Sequence, residues 1–116
     1  MLGLCYENGA GVVEDETEAV RWYRKAAEQD NGDAQLHLGN CYARGYGVEK
    51  NDAAAVRWYR RAAEQGDADA QYNLGVMYYN GKGVAQDKQE AVKWFRKAAD
   101  NGNARAKRLL LDLNGD

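Results

Sequence analysis

Apolar side chains recur along this chain with the spacing of an α-helix. In the middle of the sequence they fall at i, i+1, i+4, i+7 and i+8, which form one stripe of a 3.6-residue period: Ala55, Val56, Tyr59, Ala62 and Ala63. Asn51 or Asp52 can cap the start of this helix. Gly66 can end it in the left-handed conformation that glycine adopts without strain. We call this predicted element helix B.

A second amphipathic segment follows directly. Asp67 is suited to cap its start, and Ala70, Leu74 and Tyr78 fall on one face of the predicted helix. Gly81 closes the segment before a Gly-x-Gly-Val turn. We call this second element helix A, so the pattern predicts alternating B and A helices.

The same pattern occurs three times. The string Gly-x-x-Tyr-x-x-Gly-x-Gly-Val begins at Gly3, Gly39 and Gly75, which are 36 residues apart. A second string, Ala-Val-x-Trp followed by an aromatic residue and Arg, keeps the same period. Self-similarity at such a period predicts an array of stacked helical units. We expect one repeat domain over residues 1–116, with a terminal helix and these approximate units: 3–38, 39–74, 75–110, and the helix at 103–113.

The first copy departs from the others at its helix ends. Capping-box spacing predicts that helix B starts at Asp15 in the first copy and at Asp87 in the third. Asp30 stands where the later copies have Gly66 and Gly102. Because aspartate adopts a left-handed backbone less readily than glycine, we expect a strained or shifted helix end at Asp30.

These motifs resemble the Sel-one-like repeat, a relative of the tetratricopeptide repeat, over nearly the whole chain. The third copy carries the family pattern at these positions: Ala70, Leu74, Gly75, Tyr78, Gly81, Gly83, Val84, Asp87, Ala91, Trp94, Phe95, Lys97, Ala98, Ala99 and Gly102. The resemblance implies an all-α, right-handed α-solenoid of antiparallel helix pairs that acts as a scaffold for protein–protein contacts.

Composition narrows the functional classes. Among 116 residues there are 19 Ala and 13 Gly but no Ser, Pro or Ile, which disfavours a β-fold and excludes a serine nucleophile. The net charge of −2 gives no electrostatic reason to expect nucleic acid or an anionic membrane. The longest apolar runs, four residues each at 53–56 and 76–79, are too short for membrane insertion. We expect a non-enzymatic protein with no cofactor, no metal, no nucleic-acid partner and no membrane insertion.

Several conspicuous residues have structural explanations. Trp22, Trp58 and Trp94 recur at one position of helix B, and we expect them to pack between helices rather than to stack on bases. A recurring basic stripe includes Arg24 and Arg60, each followed four residues later by a glutamate. This spacing predicts intrahelical ion pairs.

Cysteine and histidine usage predicts no disulfide or metal chemistry. Cys5 and Cys41 occupy the same position of adjacent repeats, where a disulfide would have to span stacked helices, so we expect free thiols. His37 is the single histidine and has no arranged partner ligands. With no signal peptide at its start, the chain is expected to be soluble and cytoplasmic.

One face of helix A varies between copies while its surroundings repeat. Because stacking requires recurring residues, a variable face is free to contact a partner. The residues predicted to bind a partner are Leu36, Asn40, Arg44, Tyr72, Val76, Tyr79, Asn80 and Arg108. Their aromatic and aliphatic side chains suit anchors, and their amides and arginines suit backbone groups or carboxylates. In the family that the chain resembles, this face lines the concave groove.

We therefore expect a scaffold that binds a peptide or partner protein in this groove. The alternative is a structural or engineered repeat module, or a fragment of one, with no ligand of its own. Exposed apolar ends of the array also predict end-to-end self-association.

Overall fold

A computed structural model describes the backbone of residues 10–113 and the side chains of residues 16–112. Within that range all regular elements are helices: α1 (Ala10–Glu28), α2 (Gly32–Arg44), α3 (Asp52–Glu64), α4 (Ala68–Asn80), α5 (Lys88–Asp100) and α6 (Ala104–Leu113). α1, α3 and α5 are helices B, and α2, α4 and α6 are helices A. Each helix packs against the next along the chain, in a body of 48 × 29 × 27 Å. The predicted all-α solenoid is confirmed.

The predicted caps form the helix ends in the second and third repeats. The side-chain oxygens of Asn51, Asp67 and Asp87 accept hydrogen bonds from backbone N–H groups three residues later, at 2.9–3.0 Å. α2 and α4 end at Gly45 and Gly81, which have φ angles of 71° and 69°. These contacts satisfy backbone groups that a helix end leaves without partners.

The first helix differs from the prediction. α1 begins at Ala10, so the start predicted at Asp15 is wrong. In the second repeat, the turn before α3 packs closely on α1. A Cβ on Gly47 of this turn would lie 2.4 Å from the carbonyl oxygen of Glu16. No described helix precedes α1. Among the described residues, the corresponding segment around Gly11 has no earlier helix B to pack on, and it is helical.

Asp30 has the backbone conformation predicted for it. Its φ is 68°, in the left-handed region, where the later repeats use Gly66 and Gly102. Its carboxylate accepts a hydrogen bond from Arg61 of the next repeat at 3.2 Å. Aspartate is less suited to this backbone conformation than glycine, but the Asp30 side chain makes a contact between repeats.

The core of the described residues forms two clusters, one between α1 and α2 and one between α3 and α4. The first cluster contains Val20, Ala27, Ala34, Leu38 and Cys41. The second contains Ala55, Val56, Tyr59, Ala62, Ala63, Ala70, Leu74, Met77 and Trp94. Six of these fourteen residues are alanines, which allow the helices to approach closely.

The three tryptophans are not equivalent. Trp94 of α5 is 8% exposed and packs in the cluster built by α3 and α4. Trp58 of α3 is half-buried against the cluster built by α1 and α2. Trp22 is 62% exposed, so the prediction that all three pack is wrong for this residue. The reason is that each tryptophan packs on the preceding repeat, and no repeat precedes α1 among the described residues.

Buried glutamines join adjacent repeats, a feature that the sequence did not predict. The Nε2 group of Gln35 donates to the Ala27 carbonyl at 3.0 Å, and its Oε1 accepts from Gln65 at 2.9 Å. The arrangement recurs one repeat later around Gln71 and Asn101. Because buried amides are costly to leave unpaired, these bonds favour a single register between repeats.

The recurring arginines of helix B also bind differently than predicted. Arg24 donates to the hydroxyl of Tyr42, and Arg60 donates to the hydroxyl of Tyr78 at 2.7 Å. No ion pair joins either arginine to the glutamate four residues later in the described part of the chain. The predicted intrahelical pairs are therefore wrong, because the guanidinium groups turn toward the following helix A.

Candidate functional site

An open cavity of about 580 Å³ runs across α2, α4 and the start of α6. Four of the residues predicted to bind a partner line it: Leu36, Asn40, Arg44 and Tyr72. The cavity is also lined by His37, Tyr59, Asp69, Asn73, Asn103 and Arg105. We call this cavity the groove. It lies on successive A helices, as the variable face predicted.

The other four predicted residues lie outside the groove lining. Val76 and Tyr79 are half-buried further along α4, and Asn80 is exposed as its last residue. Arg108 is exposed on α6. The groove therefore collects residues from the first part of α4, while the predicted face continues beyond it toward the end of that helix.

Asn40 is held by hydrogen bonds inside the array. Its Oδ1 accepts from the hydroxyl of Tyr59 at 2.6 Å and from the Nδ2 of Asn73 at 3.4 Å. In the next repeat the positions of Asn40 and Tyr59 are occupied by Val76 and Phe95, both apolar. The hydrogen-bonded pair of Asn40 and Tyr59 is thus replaced by an apolar pair. The residue at position 40 therefore varies between repeats because its contact with helix B changes, as well as because it lines the groove.

Burial shifts the acidity of two groups near the groove floor. Tyr59 is 4% exposed, and this burial raises the pKa of its hydroxyl to about 12, an effect that nearby Arg44 partly opposes. The free thiol of Cys41 is also buried, and burial raises its pKa, with a smaller contribution from Glu16. Both groups are therefore neutral at physiological pH. Cys5 lies outside the described residues.

We expect Tyr59 to make folding sensitive to alkaline pH. An unfolded chain ionises tyrosine near pH 10, whereas folded Tyr59 keeps its proton up to about pH 12. The folded state then binds more protons in this window, so the free energy of unfolding falls as pH rises through it, by about 2–3 kcal/mol from this group. Urea unfolding at about pH 9 and about pH 12 measures the effect.

The matched variants for that experiment are Tyr59→Phe and Tyr46→Phe. Tyr46 is an exposed tyrosine in the turn after α2. Tyr59→Phe should remove the contribution of this group to the alkaline loss, and Tyr46→Phe should retain it. An unchanged pH dependence in Tyr59→Phe would show that its hydroxyl is not protected in the folded state.

Aromatic contacts support the part of the predicted face that lies on α4. The rings of Tyr72 and Tyr79 lie 5.7 and 6.5 Å from the ring of Phe95, centroid to centroid. Lys88 Nζ lies 5.3 Å from the centroid of the Tyr79 ring. Phe95 is almost fully buried, so it fixes both tyrosines from behind. A ligand can contact the part of each tyrosine ring that Phe95 does not cover.

Charge in the groove is unevenly compensated. Arg44 and Arg105 form no ion pair with a carboxylate among residues 16–112. Asp69, the carboxylate of the lining, accepts a hydrogen bond from Asn103 at 2.9 Å. Asn103 also caps α6 by accepting from the N–H of Ala106 at 2.8 Å. The groove thus offers two arginines that have no carboxylate partner within the described side chains.

His37 lines the groove wall as an exposed residue. Its ring lies 5.1 Å from that of Tyr23, centroid to centroid, in a tilted contact. In the described part of the chain, no group of three or more histidine, cysteine, aspartate or glutamate side chains could hold a metal ion. The same residues include no helix long and apolar enough to span a bilayer.

Sequence reasoning missed the contribution of helix B and of the α5–α6 turn to this site. Tyr59 reaches the groove from α3, and Asn103 reaches it from the start of α6. The signal for Tyr59 was available, because the change from Tyr59 to Phe95 accompanies the change from Asn40 to Val76. No comparable sequence signal pointed to Asn103.

Comparison with known proteins identifies the repeat. The model of the Sel1 repeat matches three consecutive segments, residues 1–31, 32–67 and 68–103. A Sel1 repeat protein from Oxalobacter formigenes is 47% identical, with a TM-score of 0.78 over 80% of this chain and 70% of that protein. Helicobacter pylori cysteine rich protein B is 33% identical, with a TM-score of 0.75 over 78% of this chain and 68% of that protein.

A longer structure matches almost the whole chain. It is c5321, a protective antigen of uropathogenic Escherichia coli with an SLR fold, at 44% identity and a TM-score of 0.82. The match covers 94% of this chain but 23% of c5321. A search of curated proteins gave no match.

The role of the family follows from these matches at a general level. Sel1 repeats generally act as non-enzymatic scaffolds that mediate contacts between proteins. Three consecutive repeats, together with solved structures of the same fold at 33–47% identity, establish the relationship. The chain belongs to the Sel1 repeat family.

Proposed function

We propose that this chain is an interaction module that binds an extended segment of a partner protein in the groove. The observation that carries the proposal is the open cavity of about 580 Å³ on three successive A helices. Its lining differs between repeats: Leu36 corresponds to Tyr72, His37 corresponds to Asn73, and Asp69 corresponds to Arg105. A surface shared by three repeats but chemically distinct at each suits a ligand that crosses all three.

Leu36 and Tyr72 are the apolar anchors of the proposed site. Both are half-buried, so each is partly fixed by its neighbours and partly available to a ligand. Tyr72 is supported from behind by Phe95. Tyrosine loses little side-chain entropy on binding and supplies a large contact area, which makes it a common centre of binding energy.

The two arginines favour a ligand with an acidic side chain. Arg44 and Arg105 lie on α2 and α6, at different parts of the lining, and neither has a carboxylate partner among residues 16–112. A ligand carboxylate beside either arginine would replace water with charge-assisted hydrogen bonds. The Nδ2 group of Asn40 has no partner in the same range and can donate to a ligand backbone carbonyl.

A longer ligand would continue along α4. Val76, Tyr79 and Asn80 extend the face beyond the groove, and Arg108 lies on α6. Lys88 stands over the Tyr79 ring, and Gln86 donates to the Tyr79 carbonyl at 2.8 Å. These contacts order the region without filling the groove. We assign it to the flanking part of the bound segment.

Selection of random peptides on the immobilised chain tests this function. We expect enriched peptides to carry Asp or Glu beside an apolar residue and to bind in a fluorescence anisotropy titration. Arg44→Gln or Arg105→Gln should weaken binding by about 5–20-fold, the loss of one charge-assisted contact. Tyr72→Ala should weaken it by about tenfold or more.

The matched controls are Arg57→Gln and Arg96→Gln. These arginines are exposed on α3 and α5, outside the groove, and we expect their replacement to leave affinity unchanged. Binding that survives all three groove substitutions would contradict the proposal. If no peptide is enriched, a structural module without a ligand of its own becomes the better description.

Cytoplasmic location and end-to-end self-association stay predictions.

A further inference from the structure

The first described helix, α1, exposes a tryptophan at a position that lies in an interface in the other two repeats. Trp58 and Trp94 each pack on the core of the preceding repeat, whereas Trp22 is 62% exposed. The three residues occupy the same position of helix B. The surface around Trp22 therefore has the chemistry of an inter-repeat interface but lacks a neighbour among the described residues.

A cation accompanies each of these tryptophans. Lys25 Nζ, the Arg61 guanidinium carbon and Lys97 Nζ lie 5.7, 4.8 and 4.8 Å from the ring centroids of their tryptophans. Arg61 also reaches Asp30 of the preceding repeat at 3.2 Å. At the interface between the first two repeats, the Trp58 indole thus packs on the core of the first repeat. Arg61 pairs with Asp30 of that same repeat. Lys25 has no carboxylate within ion-pair distance among residues 16–112.

The exposed face of α1 carries complementary charges on either side of Trp22. Glu18, Trp22 and Lys25 have the spacing i, i+4 and i+7, which places them on one side of the helix. All three are exposed. If a second α1 lies antiparallel across this face, its Lys25 falls beside Glu18 of the first helix, and its Glu18 falls beside Lys25. The Glu18 and Lys25 positions of the two copies are therefore complementary, and Glu18 also lies 3.7 Å from Arg21 of its own helix.

We propose that a second copy of this chain covers Trp22 by antiparallel pairing of the two α1 helices about a two-fold axis. The indoles pack against each other near the axis, and Glu18–Lys25 pairs between the copies flank them. This arrangement repeats the two features of the inter-repeat interface, an aromatic contact and a cation–carboxylate pair. It is also closed, since both copies use the same surface.

Sedimentation velocity of the whole chain over a concentration series tests the pairing. We expect a reversible monomer–dimer equilibrium with no larger species. Trp22→Ala should weaken the dimer by about tenfold or more, as for a central interface tryptophan. Because Trp22 is exposed, the variant should keep the helical circular dichroism of the parent. The controls Tyr46→Ala and Leu111→Ala alter exposed apolar residues elsewhere, 55% and 69% exposed, and should leave the dimer unchanged.

Charge exchange tests the antiparallel geometry. Glu18→Lys alone places two lysines in each flanking pair, and Lys25→Glu alone places two carboxylates there. Each should weaken the dimer by about 3–10-fold, and the double variant should restore the parental affinity to within about threefold.

Three results would overturn the proposal. The first is a monomer at all concentrations, which would leave the face for a different neighbour. The second is loss of self-association in Leu111→Ala but not in Trp22→Ala, which would indicate head-to-tail contact through α6. The third is a double charge variant that stays as weak as the single variants.

Discussion

Replacing Trp94 by alanine is expected to lower the free energy of unfolding by about 3–5 kcal/mol. The side chain is 8% exposed and fills the space between α5 and the cluster that α3 and α4 build. Its removal leaves a cavity against this cluster, and the four alanines among the cluster residues are too short to fill it. Urea unfolding followed by far-ultraviolet circular dichroism measures the loss without relying on tryptophan fluorescence.

The other two tryptophans provide a matched series. Trp58→Ala should cost roughly 1.5–3 kcal/mol because the side chain is half-buried. Trp22→Ala, in a dilute monomeric sample, should stay within about 0.5 kcal/mol of the parent because the residue is exposed. Equal losses at the three positions would contradict the conclusion that each tryptophan packs on the repeat before it.

Replacing Gly83 by alanine is expected to destabilise the array by roughly 3–4 kcal/mol, from backbone strain and overpacking together. Gly83 has a φ of 74°, and a Cβ there would lie 2.4 Å from the carbonyl oxygen of Asp52. The contact atom belongs to the backbone of the preceding helix B, so it cannot rotate away. Relief requires the third repeat to move relative to the second.

Gly66→Ala separates the two contributions in that prediction. Gly66 also has a left-handed backbone, with φ 94°, but no atom lies within 4 Å of the position of its Cβ. We expect a loss of about 1–2 kcal/mol from backbone strain alone. Chemical denaturation of both variants gives the difference. If Gly66→Ala is as damaging as Gly83→Ala, close packing of the turn on the preceding repeat is not what stabilises the stack.

The fold was largely predictable because its determinants are local and repeated. Caps such as Asn51 and Asp87 act within one turn of their own helix, so spacing alone identifies them. The start of α1 was not predictable in this way, since the turn that precedes helix B depends on a neighbouring helix. The exposure of Trp22 has the same origin: its position in the array, rather than its local sequence, determines what covers it.

The groove was predictable in outline and less so in detail. Four residues of the variable face, Leu36, Asn40, Arg44 and Tyr72, line one cavity, and their role in binding a partner stays a prediction. The assumption that a variable residue is free of packing duties is incomplete for Asn40, whose oxygen accepts a hydrogen bond from Tyr59. Contacts between residues on different helices can be predicted from the sequence when the two positions change together between copies. Otherwise the three-dimensional structure is needed to identify them.

The most direct test of the central claim, that the groove on the A helices holds the partner segment, is amide chemical-shift mapping of the isotope-labelled chain. The titrant is a peptide recovered by the selection described above. We predict the largest shift changes around Asn40, Tyr72 and Arg105, with little change around Arg57 and Arg96 on the outer helices. The largest changes around Arg57 and Arg96, with the groove residues unaffected, would contradict it.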